Sequence, residues 1–377
     1  MKNKENLKHH NKIIGINLLF LIPGEVGGSE PYSRRLIDAL YKYDKSNKYV
    51  LFCNKENFNT FDKKYNRVLV PLNATNRPLR LLVEQLVLPF YLLFNKIDIL
   101  FSLGYISPFF THCKSIVNIF DLNWYYHPED FGLLQKILWK FFVTNSARFA
   151  DAITTSSYSS KRSIEKILGF NKKIGVINAG LPTLKTSKKD VIELKTHKPY
   201  FFSLSAAYPH KNLITLLKAH QMLLEKGVMC NLLIAGLGGR SDDELDKFLS
   251  KNNKSKKYVK RLGYVSDNKM TALYLECLAL VFPSTYEGFG VPVVEAYSLG
   301  VPVISSNAFS LKEVVGNGGV LIHPYNYQRF SSEMEKVLMD NSYRNKLIKK
   351  SRNEAKRFNW VSSIRKIVSY FDIVVSF

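Results

Sequence analysis

The sequence predicts an α/β protein of two domains, each built on a parallel β-sheet. Short apolar runs alternate with helical segments along the chain, which is the pattern of β-α-β units. The 377 residues are too many for one core of ordinary size, since domains usually hold about 100–200 residues. A polar, lysine-rich stretch at residues 183–199 separates two series of apolar runs. This stretch is therefore predicted to be a linker.

The first domain, residues 1–182, contains apolar runs that predict buried parallel strands. They lie at residues 13–21, 49–53, 97–102, 115–120, 152–157 and 174–180. The second domain, residues 200–358, repeats this rhythm. Its runs lie at residues 200–205, 231–238, 261–266, 278–284 and 301–306. Both domains are therefore predicted to be Rossmann-like, and an amphipathic pattern predicts a C-terminal helix over residues 359–377.

One further apolar segment, residues 79–94, is interrupted by charge and by proline. It contains Glu84 and Pro89 and is shorter than the roughly 20 residues that a bilayer requires. No stretch of the chain is therefore predicted to span a membrane. Its Leu and Phe side chains either cover a core or face an interface, and Arg77 and Arg80 lie beside them.

The chain is strongly basic, with 54 Lys and Arg against 31 Asp and Glu and a net charge of +23. Anionic partners are expected, either nucleic acid or an anionic membrane surface, although part of the charge belongs to solvated faces. No zinc finger, RNP aromatic pattern or helix-turn-helix is present in the sequence, so nucleic acid is not expected. A peripheral contact with a membrane surface is the remaining expectation.

The four cysteines and the N-terminus indicate an intracellular protein. Cys53, Cys113, Cys230 and Cys277 lie far apart without a CxxC pair, so neither a disulfide framework nor a zinc site is predicted. The charged N-terminal segment passes into a short apolar strand and lacks the pattern of a signal peptide. A cytoplasmic location is therefore expected.

Residues 283–306, PSTYEGFGVPVVEAYSLGVPVISS, combine two carboxylates, a glycine-rich turn and a helix start. Gly288 and Gly290 permit a tight turn, and Pro292 suits the first turn of a helix. A phosphate held against residues 289–293 would meet free N–H groups and the positive end of the helix dipole. Glu287 and Glu295 flank that position, which suits a nucleotide-sugar. Alternatively, Glu295 only complements the helix dipole and Glu287 is a solvated loop charge.

The spacing of this segment resembles a known signature. Seven residues separate Glu287 from Glu295, and Pro283, Phe289 and Pro292 follow the same order as in the E-x7-E motif of retaining GT-B glycosyltransferases. That large family, the glycosyl transferases group 1, includes bacterial O-antigen and capsule mannosyl- and rhamnosyltransferases.

The resemblance implies a GT-B fold, in which two Rossmann-like domains face each other across a cleft and the last helix returns to the first domain. It also implies that Glu287 contacts the donor sugar, that Glu295 binds the ribose, and that Gly288, Phe289, Gly290 and Val291 contribute to donor binding.

A second motif lies at the start of the second domain. The sequence AAYPHKNL follows the strand at 200–205 and resembles the PxKN segment that supplies the family's phosphate-binding lysine. The resemblance assigns this role to Lys211, with His210 where many relatives have arginine. Lys211 is alternatively an ordinary exposed lysine. Tyr264 lies where relatives contact the nucleobase.

Two motifs of the first domain complete the candidate site. The strand at 13–21 precedes Gly27 and Gly28, which resemble the family's N-terminal glycine loop near the donor diphosphate, although a simple turn has the same pattern. Asp121 either orients an acceptor hydroxyl as a weak base or caps the next segment. The preceding residue is Phe120, where relatives usually have histidine, and phenylalanine offers no hydrogen bond to a sugar.

These residues predict an enzyme that moves a hexose or deoxyhexose from a nucleoside-diphosphate sugar, with retention, to a hydroxyl of a lipid-linked glycan in O-antigen or capsule synthesis. Glu287, Lys211 and Asp121 are the expected catalytic residues. The sequence has no DxD pair at a strand end, so metal independence and no cofactor are expected. Two alternatives stay open. One is a glycogen-synthase-like or sucrose-type transferase with a soluble acceptor, and the other is a catalytically silent nucleotide-sugar-binding module, which Phe120 suggests.

Overall fold

A computed structural model describes residues 11–170, 172–194 and 197–376. The charged N-terminal residues 1–10 therefore lie outside the described residues. The first sheet is entirely parallel, in the order β3-β2-β1-β4-β5-β6-β7. Its strands are β1 (Ile13–Asn17), β2 (Lys48–Cys53), β3 (Arg67–Leu69), β4 (Ile99–Ser102), β5 (Lys114–Asn118), β6 (Ala152–Thr155) and β7 (Ile174–Val176).

The second sheet is also parallel, in the order β10-β9-β8-β11-β12-β13. Its strands are β8 (Tyr200–Leu204), β9 (Asn231–Ala235), β10 (Val259–Gly263), β11 (Leu280–Phe282), β12 (Val303–Ser306) and β13 (Val320–Ile322). The predicted class, two Rossmann-like α/β domains, is confirmed.

Helices cover both sheets. In the first half of the chain they are α1 (Ser29–Tyr43), α2 (Arg77–Leu86), α3 (Leu88–Phe94), α4 (Asn123–Tyr126), α5 (Leu133–Phe149) and α6 (Tyr158–Leu168). From there they are α7 (Lys188–Leu194), α8 (Leu213–Glu225), α9 (Asp242–Lys251), α10 (Asn253–Tyr258), α11 (Asp267–Glu276), α12 (Val291–Ser298), α13 (Leu311–Val315), α14 (Tyr327–Met339), α15 (Asn341–Ala355) and α16 (Trp360–Val375). Short 3₁₀ turns lie at Phe58–Thr60, Pro128–Asp130 and Pro209–Lys211.

Every apolar run that predicted a strand forms one, but the structure adds two strands and one helix. β3 and β13 are edge strands of three residues with partly exposed side chains, and their apolar stretches were not among those predicted to form strands. Within the predicted linker 183–199, the structure places α7, so this stretch is more than a linker. Leu194 is buried and Val191 packs beside it in the core, since their spacing of three residues puts both on one face of the helix.

The strand order creates a crevice in each domain. It reverses between β1 and β4 in the first sheet and between β8 and β11 in the second. Ligands of open parallel sheets bind at such points, beyond the carboxyl ends of the strands. The last helix, α16, packs on the first domain, where Phe371 meets Phe101 at 5.8 Å between ring centroids and Ser363 donates to the carbonyl of Asn178 at 2.8 Å.

Candidate active site

The loop between β11 and α12 depends on glycine at its last position. Gly290 has a φ of 103°, in the left-handed region, and directly precedes α12. A Cβ at this position would lie 2.8 Å from Cδ2 of Leu311. Both the backbone conformation and the packing therefore require glycine, and Pro292 follows in the first turn of the helix.

Gly288 lets the two domains meet. A Cβ there would lie 2.5 Å from Oδ2 of Asp121 and 3.0 Å from the carbonyl oxygen of Phe120, both in the first domain. The carbonyl of Gly288 accepts a hydrogen bond of 3.1 Å from the Ser160 hydroxyl, also across the cleft. The structure thus brings Gly288 and Asp121 together, 167 positions apart in sequence (288 − 121).

Lys211 and Glu287 form an ion pair, with Nζ 2.7 Å from Oε1. Lys211 ends the 3₁₀ turn after β8, and Asn212 follows it in a left-handed conformation, with a φ of 53°. The Asn212 amide donates to the carbonyl oxygens of Pro283 and Pro324 at 3.1 and 2.8 Å. These bonds hold the lysine turn against the glutamate loop, so two motifs predicted separately form one site.

Asp121 lies on the first-domain side of this ion pair. Its Oδ1 accepts the N–H of Asn123 at 3.0 Å, but the N-cap residue of α4 is Leu122, so the predicted alternative of an N-cap is wrong. Burial raises the pKa of Asp121, while the Asn123 hydrogen bond and the charge of Lys211 lower it, and burial dominates. An ionised carboxylate at this position therefore costs folding free energy.

Asp121→Asn is expected to increase the free energy of unfolding at pH 7. Because the folded-state pKa of Asp121 is raised, the wild type loses stability as pH rises through that pKa, and an amide removes this penalty. The advantage should disappear below about pH 4, where the carboxyl is protonated in both states. Urea unfolding at a series of pH values measures it. A variant that is less stable than the wild type at neutral pH would contradict the dominance of burial.

Glu295 is held from both domains. It is only 2% exposed, and its Oε1 lies 2.8 Å from Nη2 of Arg35 on α1. Its Oε2 accepts the Tyr274 hydroxyl at 3.1 Å. Neither partner was predicted, because neither belongs to a motif in the sequence. A ribose that reached Glu295 would meet a carboxylate already oriented by these two donors.

His210 is also engaged across the cleft. Its Nδ1 lies 2.6 Å from Oδ2 of Asp130 in the first domain, and the ring stacks on Tyr208 at 6.0 Å. His210 is 9% exposed. Because Nδ1 is paired with Asp130, only Nε2 remains to contact a phosphate of the donor. Asp130 was missed because nothing in its local sequence indicates a distant partner.

Phe120 belongs to an aromatic cluster. Its ring packs edge-on against Tyr32 at 5.1 Å and Tyr105 at 5.5 Å. Tyr105 has a φ of 68°, unusual for a residue other than glycine, and burial and the Asp121 charge raise its pKa. The position where relatives have histidine is thus part of the first-domain core and supports the backbone before Asp121.

The remaining predicted donor residues differ in their access to the cleft. Gly27 has a φ of 58°, and a Cβ at Gly28 would lie 4.0 Å from Cγ2 of Val291, so the N-terminal glycine loop borders the start of α12. Val291 is partly exposed there. The Phe289 ring is buried against Phe358 at 6.0 Å. Only the backbone of Phe289 can therefore face a ligand.

A cavity of about 360 Å³ lies at the carboxyl ends of β8, β9 and β10. Ser205, Gly236 and Gly263 line its walls, and Arg261 enters it with Nη1 2.7 Å from Oδ1 of Asp246. Its size suits a nucleobase. Tyr264 is 70% exposed and follows Gly263 at the rim, so it is not part of the wall.

Within residues 11–170, 172–194 and 197–376, no group of three His, Cys, Asp or Glu side chains is arranged to hold a metal ion. In the same part of the chain, the helices are all too short or too polar to cross a bilayer.

The second half of the chain matches a known protein family. The family model described as glycosyl transferases group 1 matches residues 185–354, which include Lys211, Glu287 and Glu295. Residues 185–354 are a group 1 glycosyltransferase domain. The resemblance predicted from the E-x7-E spacing is thereby confirmed.

The relatives of the group 1 domain include O-antigen enzymes. O-antigen chain mannosyltransferase B of Escherichia coli is 33% identical over 176 residues, which are 46% of each protein. O-antigen chain mannosyltransferase RfbU of Salmonella typhimurium is 28% identical over 320 residues, 82% of this chain and 87% of that protein. The chain therefore matches about half the length of the first relative and most of the second.

Solved structures show the fold of the whole chain. Sucrose-phosphate synthase from Thermosynechococcus elongatus superposes with a TM-score of 0.78 at 15% identity, over 97% of this chain and all of that one (100%). Anabaena HepE in complex with UDP-glucose superposes with a TM-score of 0.73 at 20% identity, over 96% and 100%. The group 1 domain and the domain before it thus form a GT-B fold.

Proposed function

We propose that this chain transfers a hexose, with mannose as the first candidate, from a nucleoside-diphosphate sugar to a hydroxyl of a lipid-linked glycan, with retention. The Lys211–Glu287 ion pair carries this proposal. It joins the loops that follow β8 and β11, where the second sheet reverses its strand order, and Asp121 of the first domain interacts with both charges. Mannose is favoured because the two relatives above are named mannosyltransferases.

The cleft supplies a separate partner for each part of such a donor. The base enters the cavity beside β8 and β9, the ribose reaches Glu295, and the diphosphate lies between Lys211 and the N-terminus of α12. Lys211 then neutralises the charge that develops on the leaving diphosphate, and the free N–H groups of α12 bind its oxygens. Glu287, held by Lys211, accepts hydroxyls of the sugar.

Retention follows if attack and departure use the same face of the sugar. In the proposed reaction, the bond from the anomeric carbon to the phosphate oxygen breaks as an acceptor hydroxyl approaches. The departing phosphate oxygen takes the acceptor proton, and no protein nucleophile is required. Asp121 orients the acceptor from the first domain. Binding and electrostatic stabilisation then provide most of the rate enhancement.

A lipid-linked acceptor implies contact with the cytoplasmic face of a membrane, and the basic chain suits an anionic surface. The main alternative is a soluble acceptor. Extraction of radiolabelled product into organic solvent distinguishes the two, because a lipid-linked product partitions into it and a soluble product stays in water.

Nucleotide binding is the first test of the proposal. Thermal unfolding with GDP, UDP, dTDP and ADP should single out one nucleotide, since a ligand at about 100 times its Kd adds about 2.7 kcal/mol of stability. The matching nucleotide-sugars are then assayed for transfer. If every donor that binds is left unreacted, the transferase proposal is contradicted and the alternative, a catalytically silent nucleotide-sugar-binding module, is supported.

Chelation with EDTA is expected to leave at least half of the transfer activity. The positive charge of Lys211 and the N-terminus of α12 are proposed to supply the electrostatic stabilisation that Mg²⁺ supplies in other transferases. Assays of the dialysed enzyme with EDTA and with added MgCl₂ measure this. A strict requirement for Mg²⁺ would contradict metal independence.

A further inference from the structure

Three segments of the first domain expose large apolar side chains to solvent. We call this surface the apolar face. It consists of Phe90 and Phe94 of α3, Phe110 of the loop after β4, and Leu134, Ile137 and Phe141 of α5. Phe94 is 80% exposed, Phe110 75% and Leu134 70%. An exposed apolar patch of this kind on a folded domain indicates an interaction surface.

The loop after β4 contacts both α5 and α2, and α3 directly follows α2 in the chain. Gln85 of α2 donates to the carbonyl of Ser107 at 3.2 Å and accepts the N–H of Phe109 at 3.0 Å. The Phe109 ring lies 6.0 Å from Phe141, and Phe110 lies 5.2 Å from Phe149 at the end of α5. The loop therefore joins α2 and α3 to α5.

The exposed residues are not an unpacked core. Leu88 and Leu92 of α3 are fully buried, at 0% exposure, on the opposite side of the helix from Phe90 and Phe94. In α5, Leu134, Ile137 and Phe141 follow a spacing of three and four residues, which places them on one face, while Val143 and Ala147 are buried. Each helix thus has a core side and a second apolar side that faces water.

The exposed charges within the three segments are positive, and two exposed acidic residues lie just beyond them: Asp98, and Asp151, which is 3.2 Å from Lys114. Residues 77–96, 106–114 and 133–149 contain one acidic side chain, Glu84, and it is 1% exposed. The solvent-facing basic residues of these segments include Arg77, Lys96, Lys140 and Arg148. Arg80, which lies beside the apolar segment in the sequence, has a side chain that is only 13% exposed and lies 3.8 Å from Glu84. It therefore belongs to the packing of α2.

This charge distribution favours one binding partner of the apolar face over another. A second copy of the chain would place like charges opposite each other, which opposes association. An anionic bilayer offers negative head groups above an apolar layer, which matches basic residues beside aromatic rings.

The apolar face is also linked to the cleft. On another side of α5, Trp139 packs edge-on against Tyr105 at 5.1 Å, and Tyr105 contacts Phe120, next to Asp121. One helix therefore connects the exposed surface to the cleft wall that carries the proposed acceptor residue.

We propose that the apolar face is a shallow docking surface for an anionic phospholipid bilayer. Its Phe, Leu and Ile side chains enter the boundary between head groups and acyl chains, and the surrounding Lys and Arg contact lipid phosphates. The purpose of the docking rests on the proposed function, because a lipid-linked acceptor in the same bilayer would present its glycan to the cleft beside α5.

Vesicle sedimentation of the full chain tests the docking surface. The vesicles contain phosphatidylcholine alone or phosphatidylcholine with phosphatidylglycerol. The wild type should bind the anionic vesicles and be partly released by high salt. Lys140→Glu/Arg148→Glu should lower this affinity at least tenfold, since each basic residue near an anionic surface contributes about fivefold. Phe94→Ser/Phe110→Ser should lower it as strongly and abolish the binding that persists in salt.

Matched controls lie on the second domain. Lys349→Glu/Lys350→Glu in α15 makes the same change in net charge, and Tyr325→Ser/Met339→Ser removes equally exposed apolar groups, at 65% and 71% exposure. Both controls should bind like the wild type, and all variants should keep its Tm. Equal losses in the controls would overturn the assignment to this surface, as would no vesicle binding by the wild type. A wild-type dimer that Phe94→Ser/Phe110→Ser converts to a monomer, without vesicle binding, would assign the surface to a second copy.

The docking proposal and the transferase proposal fail separately. Thermal shift with nucleotides reports the cleft and should be unchanged in the apolar-face variants. A wild type that binds nucleotide and transfers sugar but ignores vesicles would overturn docking only. If the protein binds vesicles but neither binds a nucleotide nor uses a donor, the docking proposal stands and the transferase proposal is contradicted.

Discussion

Glu287→Gln is expected to reduce sugar transfer by a factor on the order of 10²–10³, the range for loss of one electrostatic contact to a transition state. The carboxylate is proposed to accept sugar hydroxyls while Lys211 holds it at 2.7 Å. Glutamine keeps the shape but removes the negative charge, which is proposed to stabilise a developing oxocarbenium ion. The measurement is kcat/KM with the donor identified by thermal shift.

A surface ion pair provides the control for this variant. Glu335 lies 2.7 Å from Lys226 on the outside of the second domain, with both side chains more exposed than those of the site. Glu335→Gln should leave transfer unchanged. Wild-type turnover by Glu287→Gln would remove this residue from the proposed reaction, whatever the control shows.

Lys211→Met is expected to weaken binding of the nucleoside diphosphate by about ten- to a hundredfold, since a hydrogen bond to a charged group contributes about 1.5–3 kcal/mol. The rate should fall as well, because the ammonium is also proposed to neutralise the charge on the leaving diphosphate. Binding of the unphosphorylated nucleoside should be unaffected, which separates loss of a phosphate contact from collapse of the cavity. Calorimetric titration with both ligands measures the difference.

Loss of Lys211 also leaves the Glu287 carboxylate without its cation, and that carboxylate is only 11% exposed. The double variant Lys211→Met/Glu287→Gln restores neutrality and should recover stability without recovering diphosphate affinity. Lys226→Met serves as the control lysine. An unchanged affinity of Lys211→Met for the diphosphate would return Lys211 to the class of ordinary exposed lysines.

The parts of the site that depend on local chemistry could be predicted from the sequence. Gly290 and Pro292 predict a tight turn into a helix from their own conformational limits, and the structure has both. Glu287 and Glu295 flank this turn because their spacing is local. Lys211 follows a strand that its apolar run makes recognisable. Each of these inferences needs only a short window of sequence.

The partners across the cleft needed the tertiary structure. Arg35 reaches Glu295, and Asp130 reaches His210, over separations of 260 and 80 residues. No periodicity or motif relates such positions, because their proximity depends on how the two sheets face each other in the folded chain. The same reason explains Phe120, which looks like a lost catalytic group in sequence and proves to be a packing residue between Tyr32 and Tyr105.

The segment at residues 79–94 shows most clearly what could not be predicted from the sequence alone. Its sequence determined that it is apolar, helical and too short to span a bilayer, because length, composition and the break at Pro89 are local properties. It left open whether the Leu and Phe side chains cover a core or face outward. The tertiary structure decided that they do both, since Leu88 and Leu92 fill the space beneath the helix and leave Phe90 and Phe94 exposed to solvent. Burial depends on which neighbouring elements cover a face, and that is a property of the assembled fold.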